Sequence, residues 1–206
     1  MQAAFLTIHQ IAENPLLATT TVHFEKKTGS EKVLFRPLLR DDIFAFQQFL
    51  ECLSEATRQY ATHPSYDLEC AQRYCNEIDH DDILRMVAIS EDKKIIALFE
   101  FNFRLGEFDI KRYRTYGLEL NPISDVQFAP CISDEYQSQH LGTKLLHAMI
   151  DLAKHFGKSR LIAWDGVLID NKQAIRFYEK NNFKIFREKY IASDGYECYD
   201  GILELT

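Results

Sequence analysis

The stretch Asp134-Glu-Tyr-Gln-Ser-Gln-His-Leu-Gly-Thr143 decides the fold, because it joins a predicted strand to the clearest helix of the sequence. The strand is predicted over Asp125–Ile132, and the helix over His140–Phe156, where apolar residues recur with helical spacing. Gly157 is a typical helix stop. The first backbone N–H groups of a helix have no partner within it, and the helix dipole favours negative charge there. The turn is therefore a candidate anion site.

Hairpins and helices alternate along the rest of the chain. Two hairpins are predicted over residues 20–37 and 84–103, with two helices between them. A third hairpin over 184–205 follows a helix that opens at Asp170-Asn-Lys-Gln, a capping-box variant. The order β α α β β β α β α β β, about seven strands and four helices, predicts a mixed, mostly antiparallel sheet of the α/β (α+β) class.

Two segments show no clear periodicity of apolar residues. Residues 1–19 are expected to form an N-terminal appendage to a domain spanning residues 20–206. Residues 104–124 are predicted to form a long polar loop between strands, and long loops in compact domains tend to be functional.

Composition restricts the class of protein. The chain has 206 residues and a net charge of −7, with 24 Lys and Arg against 31 Asp and Glu. This length fits one domain, and the acidic charge disfavours nucleic acid while favouring a cationic substrate such as an amine. No apolar run is long enough to span a bilayer, and the N-terminus does not resemble a signal peptide. No membrane association is therefore expected.

The five cysteines predict neither disulfides nor a metal site. Their number is odd and their spacing irregular, which favours free thiols in a reducing cytoplasm. Cys70, Cys75 and His80 follow one another at five-residue steps, which fit neither a zinc motif nor one face of a helix.

Two ordered motifs carry a resemblance to a known family. Gln137-x-x-His140-x-Gly142 resembles motif A of the GNAT superfamily of acetyl-CoA-dependent N-acetyltransferases, and Asn171 to Phe183 resembles motif B. Upstream, residues 26–49 and 53–58 resemble the opening of the acetyltransferase domains of bacterial protein-lysine acetyltransferases. The resemblance covers about residues 20–205. A dinucleotide-binding Rossmann protein is excluded by the strand order and by the lack of a full G-x-G-x-x-G.

Three positions depart from the family pattern. His140 and Asn182 stand where glycine is usual, and Gln127 stands where relatives often place a glutamate. His140 must point its ring aside for phosphates to approach the backbone. Asn182 is a milder change, because asparagine accepts left-handed dihedrals at a helix C-terminus.

The resemblance implies a binding site for acetyl-CoA. Its phosphates would lie on the turn, where Gln137, Ser138 and Gln139 add side-chain donors. Pro130 marks a bulge, since proline cannot donate to a ladder, and the pantetheine arm would pair with the backbone there, with Ile132 as the expected N–H donor. The implied contacts are Ala129, Cys131, Ile132, Gln137, Ser138, Gln139, His140, Leu141, Gly142, Thr143, Asn171 and Tyr178.

The implied reaction is direct attack of an amine on the thioester within a ternary complex. Tyr178 occupies the family position of the general acid that protonates the departing sulfur. Gln127 cannot accept a proton, so Asp125 or Glu100, acting through a water, are the candidate bases. Cys131 as a nucleophile is disfavoured by its expected direction into the core.

The acceptor stays open between a small-molecule amine, a protein lysine and a protein N-terminus. A catalytically weak acyl-CoA sensor or scaffold of the same fold is the alternative function, favoured by the changes at His140, Asn182 and Gln127. The resemblance is also compatible with a homodimer.

Overall fold

A computed structural model describes residues 5–26, 29–61, 63–80, 82–192 and 194–205 of the chain. The fold divides into two compact units. The N-terminal unit comprises Leu6–Glu100 and Pro130–Leu152, and the C-terminal unit comprises Phe101–Ala129 and Ala153–Thr206 together with Phe5.

The predicted class, a mixed and mostly antiparallel α/β sheet, is confirmed. The described residues contain nine strands and seven α-helices, against the predicted seven and four. The predicted order counts the first hairpin as a single β element, whereas it forms two strands, and the two-residue strand Val167–Leu168 had no sequence signal. Three short helices, of six, four and nine residues, account for the other difference.

The N-terminal unit contains four strands in the order β1-β2-β3-β4. They are β1 (Thr20–Lys26), β2 (Gly29–Pro37), β3 (Ile83–Ile89) and β4 (Ile95–Asn102). β1 pairs antiparallel with β2, and β2 with β3. The turn predicted at Lys27 to Ser30 includes residues 27 and 28, which lie outside the described residues.

Helices cover this part of the sheet with an apolar core. They are α1 (Ile8–Glu13), α2 (Ile43–Cys52), α3 (Glu55–Arg58) and α4 (Leu68–Asn76). Phe46 of α2 stacks on Phe49 and on Tyr74 of α4, with centroid distances of 5.8 and 5.7 Å. Burying aromatic rings in this way fixes α2 against α4.

The C-terminal unit contains both ends of the parallel crossover, whereas residues Pro130–Leu152 between them belong to the N-terminal unit. Its strands are β5 (Asp125–Ile132), β6 (Arg160–Ala163), β7 (Val167–Leu168), β8 (Lys184–Ile191) and β9 (Glu197–Glu204). β5 and β6 pair in parallel, as expected for strands joined by a helix, here α6 (Leu141–His155). β9 pairs antiparallel with β6, β7 and β8.

The prediction of a long polar loop over residues 104–124 is partly wrong, because this segment contains the helix α5 (Glu107–Thr115). Gly106 is the N-cap, Glu107 and Asp109 lie in the first turn, and Arg112 and Arg114 in the last. This order of charges is favourable for the helix dipole. The helix was not predicted, because the segment is too polar to show an apolar helical pattern. The last helix, α7 (Lys172–Lys180), follows β7.

Candidate functional site

The turn between β5 and α6 presents unpartnered amides, all within the N-terminal unit. Ser138 and His140 have positive φ angles of 58° and 63°. Among the described residues, the N–H groups of Leu141, Gly142 and Thr143 have no hydrogen-bond partner, whereas Lys144 N bonds to His140 O at 3.2 Å. Backbone amides aimed in one direction at a helix N-terminus form an anion-binding concavity.

The left-handed backbone explains the family pattern at His140. The glycine usual at this position adopts positive φ without a steric penalty, whereas a histidine there is strained. The His140 side chain is exposed. Asn182, the other substituted glycine, also has a positive φ of 65°, as expected for asparagine after a helix.

Side chains around Asp134 hold the turn in place. The Asp134 carboxylate accepts hydrogen bonds from Ser54 N (2.9 Å), Ser54 Oγ (2.6 Å) and Thr57 Oγ1 (2.7 Å). Burial opposes ionisation of Asp134, but these bonds outweigh it and lower its pKa. Gln137 Nε2 donates to Thr57 Oγ1 at 3.1 Å and to Ile132 O at 2.9 Å. We call these four side chains, Ser54, Thr57, Asp134 and Gln137, the Asp134 cluster.

The amide side chains of the turn therefore bond to the protein itself. Gln139 Nε2 donates to Glu135 O, and Gln137 to the two acceptors given above. The anion-binding capacity of the turn rests on its backbone rather than on these side-chain donors.

Strand β5 extends beyond its last residue pair with β6. The last pair is Phe128 with Ala163, and Trp164 N donates to Phe128 O at 3.0 Å. The following residues Ala129, Pro130 and Ile132 are half-buried. Because Pro130 has no N–H, the strand cannot continue a regular ladder through it.

Cys131 faces the core of the N-terminal unit and is 9% exposed. Burial, together with the negative Glu100, raises the pKa of its thiol to about 12. A thiol with this pKa is protonated at neutral pH, so Cys131 is a poor nucleophile.

Tyr178 lies in the C-terminal unit, on α7, and is 5% exposed. Its ring packs edge-on against Phe128 (6.4 Å between centroids) and Phe183 (4.8 Å). Burial raises the pKa of its phenol well above the usual range, so the hydroxyl keeps its proton at neutral pH. The hydroxyl has no hydrogen-bond partner within the described part of the chain. Asn171, not Asp170, caps α7, with its Oδ1 accepting from Ala174 N at 2.9 Å.

The two candidate bases both lie in ion pairs. Asp125, fully buried, binds Arg160 through both carboxylate oxygens, at 2.7 and 2.6 Å. Glu100, 7% exposed, binds Arg85 Nε at 3.0 Å. Burial raises the pKa of Glu100, partly offset by Arg85.

A polar cluster in the C-terminal unit was not predicted from the sequence. Gln127, 2% exposed, donates through Nε2 to Asp109 Oδ2 at 2.9 Å. Arg112 bridges Asp109 Oδ1 (2.6 Å) and the fully buried Asp200 (2.5 and 2.9 Å). Tyr116 also donates to Asp200 at 2.9 Å. We call these five side chains the Asp109 cluster. The Asp109–Arg112 spacing of three residues on a helix was its readable signal, once α5 is recognised.

Neither a cluster of metal-ligand side chains nor a membrane-spanning helix occurs among the described residues. No group of three or more His, Cys, Asp or Glu side chains among them could hold a metal ion. Across the same residues, no helix is both long and apolar enough to cross a membrane.

Comparisons with known proteins identify a family and a shared fold. A sequence model of the Acetyltransferase (GNAT) family matches residues 46–183. No curated protein matches the sequence.

Solved structures share the fold. The GNAT domain of S. lividans PAT has a TM-score of 0.70 and 20% identity, covering 93% of this chain and 99% of that one. Aminoglycoside acetyltransferase AAC(6')-Ib in complex with coenzyme A and kanamycin has a TM-score of 0.63 and 18% identity, covering 82% and 93%. Ribosomal-protein-S5-alanine acetyltransferase from Vibrio fischeri has a TM-score of 0.65 and 12% identity, covering 89% and 97%. Such identities establish a common fold.

Proposed function

The chain belongs to the GNAT acetyltransferase family, and on that premise we propose that it transfers an acetyl group from acetyl-CoA to a primary amine. The observation that carries the proposal is the row of unpartnered amides at Leu141, Gly142 and Thr143 behind two left-handed residues. A diphosphate carries the charge and the acceptor oxygens that such a turn binds. The Asp134 cluster keeps this turn in its binding geometry without any cosubstrate.

The half-buried backbone beyond the last β5–β6 pair supports a role in binding the pantetheine arm. Ala129 and Ile132 would offer backbone groups to it, and Pro130 removes a donor that a continuous ladder would need. Cys131 would contribute only its backbone, because its thiol faces the core.

Acetyl-CoA supplies an activated acyl carbon, bound to a sulfur that leaves readily. The neutral amine attacks that carbon, a C–N bond forms and the C–S bond breaks. Tyr178, whose phenol is protonated at neutral pH, is the proposed donor of the proton to the departing sulfur. The amine, protonated at neutral pH with a pKa of about 10.4, must also lose protons.

The acceptor is proposed to be a cationic amine, since the chain carries a net charge of −7. The similar structures act on different amines. One was solved with kanamycin, and another is named for an alanine of ribosomal protein S5. The fold therefore leaves open small molecules, protein lysines and protein N-termini.

The alternative, a CoA-binding sensor with little turnover, is favoured by Gln127, whose amide cannot accept a proton. Two measurements on one preparation test both functions. The dissociation constant for acetyl-CoA is measured by calorimetry, and CoA release is followed with a panel of polyamines, aminoglycosides, lysine peptides and N-terminal peptides. Binding with turnover on one amine class supports the transferase. Tight binding without turnover on any of them supports the sensor, and no binding contradicts both.

A further inference from the structure

The side chain of Gln127 is fixed by two hydrogen bonds that determine its orientation. Asn102 Nδ2 donates to Gln127 Oε1 at 3.0 Å, and Gln127 Nε2 donates to Asp109 Oδ2 at 2.9 Å. A carboxylate only accepts, so the nitrogen of the amide must face Asp109.

This contact accounts for the residue type at position 127. A glutamate there would place two carboxylates at hydrogen-bond distance, and such a pair cannot both ionise. One carboxylate fits at this contact, and the chain carries it on α5 as Asp109 instead of on β5.

Asp109 differs from the two carboxylates considered from the sequence alone. Its side chain keeps 14% exposure, whereas that of Asp125 is fully buried. One Asp109 oxygen binds the cation Arg112, but the other faces the neutral amide of Gln127. Both oxygens of Asp125 bind Arg160. Asp109 Oδ2 therefore accepts from a neutral donor, whereas both oxygens of Asp125 are bound by a cation.

The charges facing Asp109 favour a cationic partner. From its own helix it faces Arg112, whose guanidinium is shared with Asp200 on β9. From the β6–β7 connection it interacts with Asp165, whose pKa is raised by burial and by the negative charges of Asp109 and Asp194. One guanidinium thus stands among three carboxylates, those of Asp109, Asp165 and Asp200, and an ammonium would offset the excess.

The position of Gln127 relates Asp109 to the proposed acid. Gln127 and Phe128 are consecutive on β5, so their side chains point to opposite faces of the strand. Tyr178 packs on Phe128, and Asp109 bonds to Gln127. The two groups therefore lie on opposite faces of β5 beside its last pair with β6, so a thioester would have to lie where β5 extends beyond that pair for both to act on it.

We propose that Asp109 is the general base of the acetyl transfer and that Gln127 is the positioning residue that holds it. This inference rests on the proposed function. The bound ammonium first releases one proton to solvent, and the neutral amine attacks the acyl carbon. As the C–N bond forms, the second proton passes to Asp109, directly or through one water, and Tyr178 protonates the sulfur as the C–S bond breaks. After product release, Asp109 returns its proton to solvent and the Tyr178 phenolate takes one up.

A charge-exchange series tests the inference. The variants are Asp109→Asn, Gln127→Glu and the double variant, with Glu107→Gln as a matched control on the exposed side of the same helix. Each is assayed for the pH profile of kcat/KM on the best amine, acetyl-CoA affinity and thermal unfolding. We expect D109N to lower kcat about 100-fold and to lose the acid limb of the profile. The double variant should regain at least about 10-fold, because the carboxylate introduced at position 127 then replaces the one lost from α5.

The outcomes are distinguishable. A wild-type protein that acetylates no amine contradicts the proposed function, and the inference falls with it. An active wild type with unchanged kcat in D109N overturns only the inference. Equal inactivity of D109N and the double variant, both folded and binding acetyl-CoA, gives Asp109 a structural role and also overturns it. If D109N does not fold, Gln127→Met removes both hydrogen bonds of Gln127 while leaving the Asp109 carboxylate in place, and an unchanged pH profile there overturns the inference.

Discussion

The β5–α6 turn and the Asp109 cluster each carry one of the two proposals, but they are built from different interactions. The turn uses backbone amides of consecutive residues, Leu141 to Thr143. The Asp109 cluster is held by hydrogen bonds between side chains up to 88 positions apart in sequence, as between Arg112 and Asp200. Backbone binding tolerates changes of side chain, including His140 in place of glycine. In a side-chain site, the reactive group can instead be supplied by a different element of the fold, as proposed for Asp109 on α5.

The largest effect is expected from Tyr178→Phe, which tests the C-terminal unit. Removing the phenol proton should lower kcat about 100-fold while leaving the acetyl-CoA dissociation constant unchanged, because the hydroxyl acts on the leaving sulfur. Steady-state kinetics and calorimetry measure the two quantities. Tyr196→Phe, at an exposed position, is the control. Unchanged kcat in Y178F would remove Tyr178 from the mechanism.

Gly142→Glu tests the turn of the N-terminal unit. A negative side chain at the first turn of α6 should repel a diphosphate and weaken acetyl-CoA binding by about 2 kcal/mol, or about 30-fold. His147→Glu places the same charge at an exposed site further along the helix and should change affinity little. Equal affinities of G142E and wild type would show that the phosphates bind elsewhere.

Asp134→Asn tests what holds the turn. Asparagine keeps one acceptor oxygen, so we expect the free energy of unfolding at pH 7 to fall by about 1 kcal/mol. The pKa of Asp134 is lowered in the folded protein, so its contribution is complete above the ordinary value of about 3.9 and is lost as pH falls through the lowered one. Denaturation curves between pH 7 and pH 2 should therefore converge for the variant and wild type, with Glu135→Gln as the control. A gap that persists in acid contradicts this account.

The smallest effect is expected from His140→Gly. Glycine relieves the strain of the left-handed backbone at this position, so the variant should be more stable by up to about 1 kcal/mol. The same change at His147, inside α6, should destabilise by about 1 kcal/mol, because glycine is a poor helix former. Thermal unfolding of both variants measures whether each change stabilises or destabilises the protein. Destabilisation by H140G would show that the side chain contributes more than its backbone strain costs.

Sequence patterns predicted the parts of the molecule that depend on local interactions. The limits of β5 and the start of α6 follow from strand and helix periods, and the left-handed Asn182 follows from its place after a helix. The order of elements was enough for the fold class.

The Asp109 cluster could not be predicted in the same way. Its members come from α5, β5 and β9, and only the folded chain brings Gln127 to Asp109 and Arg112 to Asp200. Asp125 was a candidate base because it lies on the same strand face as Gln127, but its pairing with Arg160 depends on the β5–β6 register. The base therefore stays a prediction until the charge-exchange series is measured.

The central claim is that amides at the start of α6 bind the diphosphate of acetyl-CoA. Amide ¹H–¹⁵N spectra of the labelled protein, recorded while CoA is added, test it most directly. The account predicts that the resonances of Leu141, Gly142 and Thr143 shift with CoA but not with pantetheine alone, which lacks the diphosphate. Amides of α4, at Glu69 and Gln72, serve as the reference. Saturation with CoA that leaves the three α6 resonances unmoved would contradict the claim.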